Sequence, residues 1–316
     1  MFEEAKKLVE EAKDIYLVAH INPDGDAIGS EFGLAIALNK IGKNAKVIMP
    51  TCSDSFKFLP YILDAVENVK EDNYDLLICL DSSDKERLAI KTEDYNKAKK
   101  VLMIDHHVKK DVYGDVACID NNLPAASELV YNFINYLGVE IDKDIATFLY
   151  TGIVTDTGSF NYSSTKSSTL IVASNLIETG INFSDICKKL NDTIKEEKLR
   201  LISKTIDNME VYFEGKLRYS FVDYDTILSL GLDEEDAEGM TNYLRMVENT
   251  EVAVYVRGKS DGTNKVSMRS GGNIDVSKIA MDFGGGGHMR ASGYTMGKNY
   301  KSSKKELLKK IGEMIQ

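Results

Sequence analysis

The chain has 316 residues, of which 43% are hydrophobic and 28% charged, a globular composition that excludes disordered and fibrous classes. At roughly 150 residues per domain, this length predicts about two domains. The net charge of −11 argues against a protein that grips long nucleic acid, because backbone binding relies on many Lys and Arg contacts. Residues 1–187 hold 30 acidic and 18 basic side chains, a net charge of −12, whereas residues 188–316 are nearly neutral at +1.

The cysteines and the apolar runs predict the cellular compartment of the protein. The four cysteines are far apart and form no CxxC pair, which argues against zinc knuckles and disulfide frameworks and fits a reducing cytoplasm. No apolar run reaches the ~18 residues that a membrane span needs. The first fourteen residues predict a charged amphipathic helix rather than a secretory signal. We therefore expect a cytoplasmic protein with no membrane partner.

The first half of the chain alternates predicted strands and helices. The strand segments are continuous apolar runs, as a parallel sheet covered on both faces requires. The strands are predicted at 15–20, 45–50, 76–81 and 101–107, and the helices at 27–42, 124–138, 142–156 and 167–180. Residues 1–187 therefore predict an α/β domain with a doubly wound, mainly parallel sheet.

The second half changes character. Residues 182–212 are polar, with helical spacing and no β pattern, so 188–212 is predicted to be a helical connector. Residues 213–316 predict a smaller α/β domain with a mixed sheet. Its strands are predicted at 216–224, 251–259 and 264–270, and its helices at 233–248, 275–283 and 301–315. A run of four glycines at 284–287 lies between the second of these helices and a strand-like segment.

Acids and imidazoles follow the predicted strands of the first domain. Open α/β sheets bind ligands beyond the carboxyl ends of their strands. The residues at those ends, with the last residue of helix 142–156, are His20, Asn22, Asp24, Asp26, Asp81, Asp105, His106, His107 and Asp156. Carboxylates and imidazoles without thiolates suit manganese, with magnesium, iron or zinc less well matched. Two such ions ~3.5–4 Å apart stabilise in-line attack on phosphorus, so we predict a two-metal centre.

The spacing of the candidate ligands suggests which of them bind each ion, although Asp24 also has a simpler interpretation. Asp24 and Asp26 lie two apart on a predicted extended loop, from which each would reach a different ion, and Asp81 is the best candidate for a bridge. Asp24 alone is equally well explained as the N-cap of the following helix. The consecutive Asp105, His106 and His107 are harder to explain by packing, because burying them without partners costs on the order of several kcal/mol.

The glycine-rich segments exclude two nucleotide-binding motifs and suggest an anion site. The GDAIGS segment lacks the dinucleotide fingerprint, and no P-loop pattern occurs. Four consecutive glycines at 284–287 would present backbone N–H groups to an anion, and His288 and Arg290 would clamp a phosphate. The alternative is a turn in which Gly284 ends the preceding helix.

These motifs, in this order, resemble the DHH superfamily of phosphoesterases. The matching segments are HINPDGDAIGS (20–30), LDSSD (80–84), DHH (105–107) and TDTGSF (155–160). The second half resembles the DHH-associated domain through VSMRS (266–270), DVSKIA (275–280) and GGGGHMRASG (284–293). The domain pair is most similar to the bifunctional oligoribonuclease and 3′-phosphoadenosine-5′-phosphate (pAp) phosphatase type.

The resemblance implies a role for each matching residue. One manganese ion would be bound by His20, Asp24 and Asp81, and the other by Asp26, Asp81, His106 and Asp156, with magnesium as a possible substitute. His107 would contact the scissile phosphate and Asp105 would orient an imidazole, so the expected catalytic residues are His107, Asp105 and Asp81. The expected substrate-binding residues are His107, Arg269, Ser270, Gly286, Gly287, His288 and Arg290.

The implied activity is manganese-dependent hydrolysis of oligoribonucleotides of about two to five nucleotides, including linear dinucleotides such as pApA, and of pAp to AMP. Long nucleic acid would be excluded by a cleft between the domains, and a homodimer is expected. One alternative is a manganese inorganic pyrophosphatase, whose second domain would carry a compact basic patch instead of the glycine run. The other is a non-catalytic nucleotide sensor, which would have lost metal ligands.

Overall fold

The computed structural model describes residues 1–107, 112–272 and 274–315, and all the predicted site residues lie within these ranges. The chain divides into two compact units, Met1–Thr193 and Ile194–Gln316. Within the described ranges, no helix combines the length and apolar character needed to cross a membrane.

The first unit is built on a five-stranded parallel sheet in the order β2-β1-β3-β4-β5. The strands are β1 (Asp14–Val18), β2 (Asn44–Ile48), β3 (Tyr74–Leu80), β4 (Ala98–Asp105) and β5 (Val116–Ile119). The helices are α1 (Glu3–Glu11), α2 (Gly25–Lys40), α3 (Thr92–Tyr95), α4 (Ala126–Leu137), α5 (Lys143–Asp156), α6 (Ser167–Glu178) and α7 (Phe183–Cys187). This arrangement confirms the predicted doubly wound parallel sheet.

Successive residues of the central strands enter different hydrophobic clusters. Leu17 and Ile78 pack into the cluster formed with helices α1, α2, α4 and α5. Their neighbours Tyr16 and Leu77 belong to a second cluster, formed with residues of the β2–β3 and β3–β4 connections. Both faces are therefore covered, which explains the continuous apolar runs. The sequence analysis missed β5, which has only four residues and lies at the edge of the sheet.

The second unit holds a six-stranded mixed sheet in the order β10-β11-β9-β8-β7-β6, in which only the β7–β8 pair is parallel among the described strands. Its strands are β6 (Glu210–Tyr212), β7 (Leu217–Val222), β8 (Val252–Gly258), β9 (Asn264–Ser270), β10 (Gly286–His288) and β11 (Ala291–Met296). Its helices are α8 (Glu196–Asp207), α9 (Tyr224–Ser229), α10 (Thr241–Arg245), α11 (Val276–Asp282) and α12 (Tyr300–Ile315). The predicted mixed sheet is confirmed.

Two local predictions for the second half were wrong. The segment 182–212 was predicted without strands, but its end forms β6 at a sheet edge. The helix predicted over 233–248 is confined to the five residues of α10, preceded by turns. The glycine run lies between α11 and β11, as predicted, and its second half and His288 also form the edge strand β10, which was not predicted. Short edge strands carry too few residues to show a periodic pattern.

Helices α2 and α5 approach closely through a row of glycines on α2. Gly25, Gly29 and Gly33 follow at intervals of four, the spacing that places side chains on one helix face. A Cβ atom on Gly29 would lie 2.5 Å from the carbonyl oxygen of Phe148 in α5. The glycines therefore permit the contact that brings the start of α2 beside the end of α5, where two of the predicted metal ligands lie.

Candidate metal centre

The predicted ligands converge at the edge of the first sheet where the strand order reverses. In a sheet of order 2-1-3-4-5, the connections after β1 and β3 diverge and leave a crevice at their carboxyl ends. His20 follows β1, Asp81 follows β3 directly, and Asp105 is the last residue of β4. Asp26 and Asp156 reach the same edge from the first turn of α2 and the last turn of α5.

One group of possible ligands contains His20, Asp24 and Asp81. His20 Nε2 lies 4.0 Å from Asp24 Oδ1 and 3.7 Å from Asp81 Oδ2. Asp24 is also the N-cap of α2, since its Oδ1 accepts hydrogen bonds from the backbone N–H groups of Asp26 (3.0 Å) and Ala27 (3.1 Å). The two interpretations of Asp24 are thus compatible, because capping places its carboxylate next to His20.

The second group contains Asp26, His106 and Asp156. His106 Nε2 lies 3.8 Å from Asp26 Oδ2 and 3.3 Å from Asp156 Oδ2. The prediction that Asp26 lies on an extended loop was wrong: α2 begins at Gly25, so Asp26 is in its first turn. Asp24 precedes the helix in extended backbone whereas Asp26 lies in its first turn, and the two side chains enter different groups.

Asp81 contacts both groups. Its Oδ2 faces His20, and its Oδ1 lies 3.5 Å from His106 Nε2. The side chain is only 3% exposed, and the backbone φ of 48° is in the left-handed region that non-glycine residues rarely adopt. Such backbone conformations concentrate at functional sites.

Backbone groups hold the second group in place, and sequence analysis did not find them. The buried Asp26 carboxylate accepts hydrogen bonds from the first N–H groups of α4, at Ala126 (2.6 Å) and Ser127 (2.9 Å). His106 Nδ1 lies 3.2 Å from the carbonyl oxygen of Leu123, to which it donates when that nitrogen is protonated. In that tautomer the Nε2 lone pair faces the carboxylates, as metal ligation requires. The sequence signal for this support is Pro124, which lies two residues before the start of α4.

Asp105 and His107 form a separate contact beside Asp81. Asp105 is fully buried, and its Oδ1 accepts hydrogen bonds from the backbone N–H groups of His106 (2.7 Å) and His107 (3.1 Å). The same oxygen lies 2.9 Å from His107 Nδ1, which is 3.4 Å from Asp81 Oδ1. The His107 side chain is 44% exposed, the largest exposure among the described imidazoles of this centre. This geometry orients His107 through Asp105.

Burial and mutual repulsion perturb the titration of these groups. Burial, together with the charge of Asp26, raises the pKa of Asp156 to about 8 and that of Asp81 well above its usual value. Burial also raises the pKa of Asp26, although His106 opposes this effect. Burial would lower the pKa of His106, but the carboxylates of Asp81, Asp26 and Asp156 outweigh it and raise that pKa to about 10. Burial therefore disfavours the negative charge that these carboxylates would carry if all of them were ionised.

The residues present suit a divalent cation. The ligand atoms are carboxylate oxygens and imidazole nitrogens, and within each group they lie within 4.8 Å of one another. Asp81 Oδ1 and His106 Nε2 are buried without a hydrogen-bond partner among the described residues. Buried polar atoms in this condition are costly, and cations would satisfy them while neutralising the carboxylates. The donor set fits manganese or magnesium better than a thiol-seeking metal.

The predicted substrate-binding residues of the second unit gather at one end of its sheet. Arg269 on β9 is paired in register with Ala291 on β11, which is paired with His288 on β10. Gly286 and Gly287 are exposed on this edge strand. Gly287 has a φ of 136°, and a Cβ atom there would lie 2.5 Å from the carbonyl oxygen of Ala291. Part of the glycine run is therefore needed for the tight β10–β11 pairing.

Ser270 and Arg290 differ from each other in exposure. Ser270 is buried, and its hydroxyl lies 3.4 Å from the carbonyl oxygen and 3.3 Å from the backbone nitrogen of Gly272. Arg290 is exposed, and its carbonyl oxygen accepts a hydrogen bond from the Ser270 backbone N–H (3.0 Å). The side chain of Arg290 is thus placed to meet a solute, whereas that of Ser270 is engaged in its own turn.

Comparisons with known proteins agree with this two-unit layout. Residues 14–153 match the family model described as DHH family, N-terminal domain, and residues 215–316 match the DHHA1 domain. The chain is 32% identical to the bifunctional oligoribonuclease and PAP phosphatase NrnA of Thermus thermophilus, over 89% of this chain and 84% of the relative. It is 30% identical to the protein of the same name from Bacillus subtilis, over 88% of each chain. The crystal structure of an exopolyphosphatase-related protein from Bacteroides fragilis superposes with a TM-score of 0.89, at 28% identity over 98% of this chain and 95% of the other.

Proposed function

Because this chain belongs to the DHH family of phosphoesterases and is a phosphoester hydrolase, we propose that it hydrolyses very short oligoribonucleotides and pAp with two manganese ions. Its substrates would be RNA of about two to five nucleotides, including pApA, released as mononucleotides. The names of the two bacterial relatives support this substrate class.

One observation carries the proposal: Asp81 contacts both groups of ligands. The group of His20 and Asp24 contacts one oxygen of Asp81, and the group of Asp26, His106 and Asp156 contacts the other through His106. A carboxylate that offers one oxygen to each side is what a two-metal phosphoesterase requires of its bridge. We propose His20, Asp24 and Asp81 for one ion, and Asp26, Asp81, His106 and Asp156 for the other.

Two divalent ions, when bound, would supply an activated water and neutralise charge on the phosphate. The chain's own residues orient the reaction. Asp105 accepts a hydrogen bond from His107 Nδ1. When the imidazole is protonated, its Nε2–H is left to donate a hydrogen bond to the scissile phosphate. The oxygen of water joins phosphorus, the bond from phosphorus to the ribose oxygen breaks, and that oxygen leaves with a proton. No covalent intermediate on the protein is needed.

The second unit would supply substrate affinity. We propose that Arg269 and His288, which lie in the same register row on either side of β11, bind the substrate away from the scissile bond, with the N–H groups of Gly286 and Gly287. Exposed Arg290 would add a charge contact, and Ser270 would support the turn that follows Arg269.

The test is a digestion of pAp, pApA, a five-nucleotide RNA, a twenty-four-nucleotide RNA and pyrophosphate with manganese, magnesium or a chelator. We expect chelator-sensitive release of mononucleotides from the short substrates and little loss of the long RNA. The inactive control is Asp81→Asn, since asparagine tolerates the left-handed backbone of this position. Its matched control is Asp84→Asn, an exposed carboxylate in the same segment.

Rapid degradation of the long RNA would contradict the proposed size limit. Hydrolysis of pyrophosphate alone would favour a pyrophosphatase. Binding of less than about one manganese equivalent without turnover would favour a nucleotide sensor, and full activity of Asp81→Asn would overturn the bridging assignment.

A further inference from the structure

A cavity of about 520 Å³ lies beside the loop that carries two of the proposed ligands. One wall is formed by Ile21 and Asn22, which lie between His20 and Asp24 in the chain. A second wall is formed by Leu88, Ala89 and Ile90. Its volume is in the range of small-molecule sites, which is roughly 300–1,000 Å³.

The two walls are joined by a short backbone ladder with His20 at its centre. Ile21 donates from its backbone N–H to the carbonyl oxygen of Arg87 (2.7 Å), and Ala89 donates to that of Ala19 (2.9 Å). Between these bonds, His20 forms an antiparallel bridge with Leu88. The backbone at His20 therefore links the two segments that line the cavity.

The lining combines apolar surface with neutral hydrogen-bonding groups. Ile21 is 52% exposed, although it is a large apolar residue next to a proposed ligand, and it faces the same cavity as Leu88. Asn22, Asn68 and Thr51, whose side chains are neutral and can form hydrogen bonds, also line the cavity. Apolar surface with a few neutral hydrogen-bonding groups is the usual lining of a small-molecule site, and it suits an uncharged nucleobase.

The charges of the lining argue against a second phosphate site. Among the described residues that line the cavity, Lys91 is the one cation and Glu67 the one anion. One cation and one anion give no net attraction for a phosphate, whereas an uncharged base has a small desolvation cost on entering the cavity. The phosphate of a nucleotide would remain at the ligand groups while its base occupies the cavity.

We propose that this cavity binds the nucleobase of the nucleotide whose phosphate lies at the metal centre. The proposal rests on the proposed function and adds a base-binding site within the first unit. It predicts that the enzyme senses the base next to the scissile phosphate, in addition to any recognition by the second unit.

The first experiment compares pApA with analogues in which one nucleotide or the other is abasic. For the wild type, we expect one abasic analogue to lower kcat/KM by about tenfold or more. Thr51→Trp fills the cavity from its exposed rim and should reduce this ratio toward one. The matched control is Asn73→Trp, which should keep the wild-type ratio. Asn73 is an exposed neutral residue just before β3, at the amino end of the parallel strands and away from the metal centre. Ile21→Ala is a second variant, which removes apolar wall from a half-exposed position.

The second experiment measures binding of adenosine by equilibrium dialysis without metal. We expect weak binding that Thr51→Trp abolishes and Asn73→Trp retains. An equal ratio for abasic and intact substrates in the wild type, or identical behaviour of both tryptophan variants, would overturn the proposal. If the wild type hydrolyses neither pAp nor pApA, the proposed function fails, and adenosine dialysis alone then decides on the cavity.

Discussion

Asp26 and Asp81 are buried and Asp156 is partly exposed, and a carboxylate oxygen of each lies 3.3–3.8 Å from His106 Nε2. Each of the three has a raised pKa, chiefly because burial disfavours its charge. His106 compensates only part of this charge. The metal-free centre is therefore a local weakness of the fold, which divalent cations would convert into a stabilising contact.

Stability without metal should fall as pH rises. The pKa of Asp156 is about 8 against an ordinary 3.8, and that of His106 is about 10 against 6.5, so the folded state holds both protons more tightly than the unfolded state. Their contribution is present at low pH and is lost between about pH 4 and 10. Manganese binds the deprotonated groups, so its stabilising effect should increase with pH.

This pH dependence can be measured as the difference in Tm with manganese and with chelator, at pH 6.5 and at pH 8. Taking the difference removes the contribution of titrating groups elsewhere in the chain. We expect a larger gain at pH 8. The same gain at both values would mean that these groups do not bind the ion.

Replacing Asp81 should raise the stability of the metal-free protein and weaken its metal binding. Asp81→Asn removes one of the repelling carboxylates and keeps the shape of the side chain. We expect the metal-free variant to be more stable than the metal-free wild type, and to gain little Tm from manganese. Thermal unfolding with and without manganese measures both effects, and a destabilised metal-free variant would show that Asp81 is held by contacts rather than by an ion.

Among the elements, the contact between α2 and α5 sets the distance between Asp26 and Asp156. This contact depends on glycine, because a side chain at Gly29 would meet backbone of α5. The same addition at Gly33 would meet the Leu149 side chain, with its Cδ2 at 2.8 Å, and that side chain can move. The two positions share a helix and a residue type but differ in what they contact.

Gly29→Ala is expected to destabilise the protein by about 1–3 kcal/mol, because the helices must separate. It should also weaken manganese binding, since Asp26 and Asp156 move apart. Gly33→Ala is the matched control and should remain within about 1 kcal/mol of wild type, because alanine's helix propensity offsets the crowding. Urea unfolding and manganese titration test both variants, and equal effects of the two would contradict a role for backbone contact at Gly29.

Across the whole molecule, the candidate ligands lie in the first unit, and the predicted phosphate-binding residues other than His107 lie in the second. The charge follows the same division: the first half of the chain is strongly acidic and the second is nearly neutral. We therefore expect substitutions in the first unit to change metal binding and substitutions in the second unit to change substrate affinity.

Arg269→Ala should raise KM for pAp by about tenfold and leave the manganese stoichiometry unchanged, because a lost charge-assisted phosphate contact weakens binding. Lys301→Ala provides the control, as an exposed cation at the start of α12. Steady-state kinetics and elemental analysis test the pair. Loss of bound manganese in Arg269→Ala would show that the two units do not act separately.

The doubly wound sheet and the convergence of His20, Asp81 and His106 were predictable from sequence. Continuous apolar runs specify buried parallel strands, and parallel strands place their carboxyl ends at one edge, so polar residues there must meet. The roles assigned to these residues and to Arg269 and His288 remain predictions. The short strands β5, β6 and β10 were not predictable, because edge strands of three or four residues are specified by their neighbours.

Residue order and composition thus specify which side chains reach the edge of the sheet, because the pattern of apolar runs is local. They do not specify how those side chains are grouped. That grouping depends on the start of α2, which turns Asp24 and Asp26 apart, and on the glycine contact with α5. It also depends on Leu123 and Ala126, whose backbone groups hold His106 and Asp26 whatever their side chains are. Contacts between backbone and distant side chains leave no pattern in the sequence, so they exist only once the chain is folded.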